Sequence, residues 1–163
     1  MDDIRDLMRT AYAEAAVFSD DRSTKNGALL LSRGGIVMRG VNRFPVASMI
    51  DNPVNHERPR KYAFIEHAER AIIFKAASFG ISTRGLTMVC PWACCAECAR
   101  AIVLAGVTKV VAHKQAHDMT PERWQQSIID GKEILSAGGV EYELWSGKVC
   151  GVENLFNGEI WCP

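Results

Sequence analysis

Two short motifs contain the residue types that bind a metal ion and transfer protons. The first is His67-Ala68-Glu69, and the second is the pair Cys95 and Cys98. Side chains three residues apart lie on one face of a helix, so both sulfurs can reach the same ion, and a helix N-terminus favours their thiolate form. His67 and Glu69 are two residues apart, so both can serve one site only if their helix points end-on at it. We therefore predict a site formed at two helix N-termini.

One imidazole and two thiolates would give a zinc ion three protein ligands and leave its fourth position open for water. This ligand set is typical of a catalytic zinc site rather than a closed structural one. Zinc lowers the pKa of such a water toward neutrality, and Glu69 beside it could take its proton. We therefore predict Zn²⁺ as the cofactor, Glu69 as the catalytic residue and three metal ligands, namely His67, Cys95 and Cys98. A Cys-x-x-Cys pair alone could be structural, but its combination with the first motif favours catalysis.

The composition limits the class of protein. The 163 residues, 48% of them hydrophobic, favour a single domain over residues 1–163, with 146–163 as a C-terminal extension. Acidic and basic residues number 19 each, so no net field attracts a polyanion or an acidic membrane. The sequence shows neither a signal peptide nor a membrane-spanning stretch, which predicts a cytoplasmic protein. Four of the six cysteines lie between Cys90 and Cys98, a clustering that favours metal binding over disulfides.

Hydrophobic periodicity and turn residues predict the elements that position the motifs. A long irregular stretch, 43–62, is expected to be a functional loop. The predicted helices are 4–18, 63–77, 95–106 and 121–137, the last opened by Thr120 and Pro121, and the predicted strands are 27–32, 34–42, 85–91, 107–114 and 140–145. Strands separated by helices predict an α/β protein with three layers, a sheet between two sets of helices.

Four segments resemble the deoxycytidylate deaminase family in their order and spacing: STKNGALLL, GVNRFP, EHAERAII and CCAECARAIVLAGVTKVV. A His-x-Glu motif followed by Cys-x-x-Cys is also the signature of zinc nucleobase deaminases. The resemblance implies an α/β/α sandwich of the cytidine deaminase-like type, with a mixed central sheet of about five strands. It implies a mononucleotide substrate, dCMP, attacked at carbon 4 of cytosine to give dUMP and ammonia, and a homo-oligomer. By motif match, Asn42 would hold the sugar hydroxyl, and Ala68 would also contact the substrate.

Two positions depart from the family's pattern. Cys94 stands where a proline usually precedes the first motif cysteine, and Ala71 stands where an asparagine often follows the glutamate. Only Cys95 and Cys98 retain the Cys-x-x-Cys register, so the metal assignment is unchanged. The missing asparagine removes a polar group near the predicted site and so affects how the substrate is held. The sequence therefore favours dCMP within a set of cytosine nucleotides.

The remaining substrate contacts are open between alternatives. Lys25, Arg43 and the basic run 58–61 compete as the partner of a substrate phosphate, although such a run is usually just solvated. Trp92 could stack on the base or belong to the core. His56, where some family members place a second metal ligand, is more simply a loop or substrate-contact residue. His113 and His117 are expected to line a rim or bond backbone.

Three other functions share part of these motifs. A deaminase of tRNA adenosine would need many phosphate contacts and a basic face, which a net charge of zero argues against. A riboflavin-pathway deaminase has more widely spaced cysteines and is commonly joined to a reductase. An inactive zinc-stabilised binding module would have no use for Glu69. Binding to nucleic acid and to membranes is therefore not expected.

Overall fold

The computed structural model describes residues 3–163, and a mixed five-stranded sheet forms its centre. The strand order is β2-β1-β3-β4-β5, in which β1 is antiparallel to both neighbours while β3, β4 and β5 are parallel. The strands are β1 (Gly27–Ser32), β2 (Gly35–Val41), β3 (Thr87–Val89), β4 (Lys109–His113) and β5 (Glu141–Trp145). The parallel strands are joined by helices, as parallel pairing requires.

Successive residues of the inner strands face opposite sides of the sheet, and each side is covered. Leu30, Met88 and Val110 belong to one buried cluster, whereas Leu29, Val89 and Val111 belong to another. The first cluster lies beneath three helices, α3 (Ala68–Ser78), α4 (Ala96–Leu104) and α6 (Glu122–Ala137). The second lies beneath α1 (Ile4–Phe18) and the C-terminal segment. The predicted three-layer α/β/α sandwich is confirmed.

The predicted helix at 63–77 is wrong in its first turn. The structure has a short helix α2 (Lys61–Phe64), then extended residues, and then α3 from Ala68. The interruption occurs because Glu66 exchanges two backbone hydrogen bonds with Arg43, of 2.8 and 3.0 Å, which requires an extended chain there. His67 consequently becomes the N-cap of α3, so the interruption itself places a motif residue at a helix end.

Helix α6 packs closely on the loop that carries the motif cysteines. A Cβ atom at Gly131 would lie 2.4 Å from the carbonyl oxygen of Cys94, so no larger residue fits there without displacing backbone. At the start of α6, Pro121 is the N-cap and makes no side-chain capping bond, so the predicted cap at Thr120 is wrong. The Thr120 hydroxyl instead donates to the carbonyl of His117.

The sequence pattern did not predict two elements, a short helix α5 (Lys114–Asp118) and a C-terminal hairpin. The hairpin, formed by β6 (Asn154–Phe156) and β7 (Glu159–Trp161), packs against α1 through an edge-to-face contact of Trp161 with Tyr12. The carbonyl of Pro163 accepts hydrogen bonds from the backbone of Val149 and Cys150. Within residues 3–163, no helix is long and apolar enough to cross a membrane.

Candidate zinc centre and active site

The two motifs meet at the N-termini of α3 and α4. His67 is the N-cap of α3 and Cys95 is the N-cap of α4, both in extended backbone conformation, and Cys98 lies in the first turn of α4. Their ligand atoms all lie within 4.8 Å of one another. The structure therefore has the predicted geometry, in which two helix N-termini meet at one site.

The distances between the ligand atoms fit a tetrahedral zinc ion. Nδ1 of His67 lies 3.6 Å from Sγ of Cys95 and 3.5 Å from Sγ of Cys98. Zinc bonds of ordinary length to nitrogen and sulfur at the tetrahedral angle would separate those atoms by about 3.5 Å. Cys90 and Cys94 are buried free thiols, and the ligand cluster found among residues 3–163 contains only the three predicted residues. The protein is thus arranged to hold Zn²⁺ through Nδ1 and two thiolates.

The cysteine pair is electrostatically asymmetric. The hydrogen bond from Cys98 lowers the pKa of the Cys95 thiol to about 3, whereas burial raises the pKa of Cys98 well above its usual value. Burial alone would lower the pKa of His67, but the hydrogen bond with Cys95 and the nearby negative charges outweigh it. Binding a metal here would release the proton that the two thiols share, because both ligands must be thiolates.

Glu69 lies in the first turn of α3 and lines the same cavity as His67 and Cys95, and only 2% of it is exposed. Its Oε2 atom is buried and has no hydrogen-bond partner among residues 3–163, which is costly unless a group in the cavity meets it. Burial raises the pKa of this carboxyl to about 7. A carboxyl with that pKa can accept and return a proton near neutral pH.

Asn42 connects the end of β2 to the start of α3 from a buried position on the cavity wall. Its Nδ2 donates to the carbonyl of Thr24, and its Oδ1 accepts from the backbone N–H of Ala68, both at 2.9 Å. The side chain of Ala68 itself is fully buried in the core. The backbone N–H of Ala68 thus has a hydrogen-bond partner within the protein. Asn42 lines the cavity, but Ala68 does not.

The aromatic wall of the cavity combines a predicted and an unpredicted tryptophan. Trp92 lines the cavity, and its indole N–H donates to the Thr120 hydroxyl at 3.0 Å. Trp124, on α6, also lines the cavity and makes edge contacts with Trp92 and with the imidazole of His67. Trp124 was missed because a single tryptophan on an amphipathic helix is indistinguishable in sequence from a core residue.

Lys25 and Arg43 are not among the residues that line the cavity, so the structure does not bring them to the other predicted site residues. The Lys25 ammonium donates to the carbonyl of Ala16 at 2.7 Å. Arg43 pairs with Glu66 through its backbone, and it lines surface grooves outside the cavity. Neighbouring residues in an extended chain face opposite sides, and this alternation directs Lys25 away from the site that Thr24 and Asn26 line.

The basic run 58–61 divides between two environments. Arg58 and Lys61 line the cavity, and the buried Lys61 ammonium forms a 2.8 Å ion pair with Asp21. Arg60 points elsewhere, donating to Oδ1 of Asn55 and lying over the ring of Phe64. A second arginine on the cavity, Arg123 of α6, was not predicted, because no local pattern connects it to the motifs.

The other histidines lie outside the metal cluster. The ring of His56 hydrogen-bonds to the carbonyl of Ile50 and packs on Phe44, which agrees with a loop role. His113 is buried between the Tyr12 hydroxyl and the carbonyl of Gly147, so it bonds backbone from inside the core rather than from a rim.

Comparison with known proteins places this site in a family. The family model of the cytidine and deoxycytidylate deaminase zinc-binding region matches residues 1–114. An uncharacterized deaminase in the luxG 3' region of Aliivibrio fischeri is 32% identical over 128 residues, which cover 76% of this chain and 81% of that protein.

Two solved structures are similar to the fold. The crystal structure of dCMP deaminase from cyanophage S-TIM5, in complex with dCMP and dUMP, has a TM-score of 0.62 and 27% identity, covering 86% of this chain and 94% of that one. A diaminohydroxyphosphoribosylaminopyrimidine deaminase/reductase of Thermotoga maritima has a TM-score of 0.62 and 21% identity, covering 86% of this chain and 36% of that one, and it shows the fold alone. With its zinc ligands and buried glutamate in place, the chain belongs to the family of cytidine and deoxycytidylate deaminases.

Proposed function

We propose that this deaminase hydrolyses the amino group of a cytosine mononucleotide, with dCMP as substrate and dUMP and ammonia as products. The observation that carries the proposal is one cavity lined by two chemically different groups of residues. Glu69 lines it together with the zinc ligands His67 and Cys95, and the same cavity is lined by Arg58 and Arg123. A mononucleotide has two matching parts, a base to be deaminated and a dianionic phosphate, and we call the first group the metal end and the two arginines the phosphate end.

At the metal end, His67, Cys95 and Cys98 would hold a zinc ion, which would activate a water molecule for attack on carbon 4 of the ring. Glu69 Oε2 would take one proton of this water and transfer it to the ring nitrogen. The same carboxyl would then carry the remaining hydroxyl proton to the amino group, the carbon–nitrogen bond would break, and the amino group would leave as ammonia. Its burial supports this role, because water cannot compete for the transferred proton.

Between the two ends, Asn42 is proposed to bind the sugar hydroxyl. Its Oδ1 accepts one hydrogen bond from Ala68 and, as an amide oxygen, has a second acceptor site available. In this proposal the N–H of Ala68 orients Asn42 and does not contact the substrate. Trp92 and Trp124 supply edges and faces against which a base could pack.

Ultraviolet assays of purified, zinc-loaded protein against dCMP, CMP, deoxycytidine and an adenosine-containing RNA test the proposal. We expect about one zinc ion per chain and turnover of a cytosine mononucleotide, with dCMP preferred. Turnover of the RNA alone would favour the alternative of a tRNA adenosine deaminase. Bound zinc without turnover of any substrate would favour the inactive binding module.

A homo-oligomer and a cytoplasmic location are further predictions. The described surface has several exposed apolar side chains that a partner copy could cover, among them Phe74, Phe79 and Leu104, the last 88% exposed. Sedimentation velocity of the zinc-loaded protein measures the oligomeric state.

A further inference from the structure

Two arginines on the cavity share one neutral hydrogen-bond acceptor. Nη2 of Arg58 and Nη2 of Arg123 donate to the same atom, Oδ1 of Asn157, at 3.3 and 2.6 Å. Within residues 3–163, neither guanidinium group has a carboxylate within ion-pair distance. Like charges this close repel each other, and an amide oxygen does not neutralise them. The arrangement therefore leaves two positive charges available to one anion.

Asn157 occupies the turn of the C-terminal hairpin. Its backbone is in the left-handed region, with φ of 51°, which asparagine tolerates better than most residues. The turn is fixed to the loop before β1, because the N–H of Asn157 donates to Oγ1 of Thr24 and the N–H of Gly158 donates to the carbonyl of Ser23. Thr24 itself lines the cavity, whereas Asn157 does not. The side chain of Asn157 thus acts on the cavity through the two arginines.

We propose that Asn157 is a positioning residue that holds Arg58 and Arg123 together as a clamp for the terminal phosphate of the substrate. The inference rests on the proposed function, since a mononucleotide supplies that phosphate. It makes the C-terminal hairpin part of the active site, although the hairpin lies outside the residues that the family model matches. Nη2 of Arg58 also donates to Oγ of Ser23 at 3.3 Å, and Nε of Arg123 donates to the hydroxyl of Tyr62 at 3.1 Å. The Nη1 groups of both arginines remain as donors of charge-assisted hydrogen bonds to phosphate oxygens.

The neutrality of Asn157 is essential to the clamp. An aspartate at this position would bond both arginines more strongly, but its charge would compete with the phosphate for the same donors. Asparagine orients the arginines and leaves their charge for the ligand. Substitutions that change the hydrogen-bond acceptor and the charge separately therefore test the clamp.

Two substitutions separate these effects. Asn157→Gly removes the acceptor and suits the positive φ, and Asn157→Asp keeps the acceptor but adds a charge. We expect the KM for dCMP to rise about tenfold in the glycine variant and about a hundredfold in the aspartate variant, with kcat within about twofold of the parent. The KM for deoxycytidine should not change. Ile160→Thr, an exposed β-branched position on the same hairpin, is the matched control and should leave both KM values unchanged.

Inorganic phosphate keeps this test separate from that of the proposed function. Phosphate at millimolar concentration should raise the melting temperature of the zinc-loaded parent and of Ile160→Thr, and should have a smaller effect on Asn157→Gly and the least on Asn157→Asp. If no cytosine nucleotide is turned over but this order holds, the proposed substrate is wrong and the clamp stands. Equal protection of all four proteins, or equal losses with dCMP and deoxycytidine, would overturn the clamp.

Discussion

The two ends of the cavity are built in different ways. The metal end comes from residues 67–69 and 95–98, two short segments that each begin a helix, and its ligands are largely buried. The end proposed to bind phosphate comes from two distant segments, Arg58 in a loop and Arg123 on α6, which Asn157 of the terminal hairpin bridges from outside the cavity lining, and all three residues are exposed. Covalent spacing and helix geometry therefore position the zinc ligands and Glu69, whereas tertiary packing brings together the residues proposed to hold the substrate.

The largest expected effect is the loss of the metal end. Cys98→Ser replaces a buried thiolate with a poor zinc ligand, so zinc content should fall from about one ion per chain toward zero and deamination should be lost. Elemental analysis measures the zinc content, and the ultraviolet assay measures deamination. Cys94→Ser is the matched control, because Cys94 is also buried and adjacent to Cys95 but lies outside the ligand cluster. If Cys94→Ser lost zinc as well, the assignment of ligands would need revision.

Glu69→Gln should separate proton transfer from metal binding. The amide keeps the size of the side chain but cannot accept the proton, so kcat should fall about a thousandfold while zinc content stays constant. Glu133→Gln, at an exposed position of α6, controls for the loss of a carboxylate. A Glu69→Gln variant that keeps more than about a tenth of the parent kcat would exclude this residue as the proton carrier.

At the phosphate end, two arginines two residues apart offer a direct comparison. Arg58 lines the cavity, whereas Arg60 lies over Phe64, so Arg58→Ala should raise the KM for dCMP about tenfold and Arg60→Ala less than twofold. Neither should alter kcat by more than about twofold, because neither touches the reacting atoms. Equal effects of both substitutions would mean that general surface charge, not the cavity, attracts the nucleotide.

The smallest effect is expected at Lys25. Lys25→Met keeps the aliphatic stem and removes only the hydrogen bond to Ala16, so the KM for dCMP should change less than about twofold. The free energy of unfolding should fall by about 1 kcal/mol, which chemical denaturation measures. A large rise in KM would show that this side chain turns into the cavity when substrate binds.

The residues that could be predicted from sequence are those whose roles depend on neighbours along the chain. His67, Glu69, Cys95 and Cys98 were identified because a helix end converts their spacing into a geometry. The five strands followed from short apolar runs bounded by turn residues, and the three layers from the alternation of strands and helices. Asn42 came from motif resemblance alone, and the structure brings it to the cavity.

The residues that were missed depend on contacts distant in sequence. The break before α3 arises from the backbone pairing of Glu66 with Arg43. The apolar pattern of 63–77 does not indicate that pairing. Arg123 and Trp124 reach the cavity only because α6 packs against the cysteine loop. Lys25 was predicted from its position just before a strand, and proximity in sequence does not indicate which side of the chain the side chain occupies.

Helix α6 connects the two ends of the cavity. Gly131 lies against the backbone of Cys94, and Arg123 lies eight residues earlier on the same helix. At 1.5 Å per residue, these two points are about 12 Å apart along a rigid axis. Inserting one residue between them would rotate Arg123 by about 100° around that axis and remove it from the cavity. The number of residues in this segment therefore determines whether Arg123 faces the cavity at all.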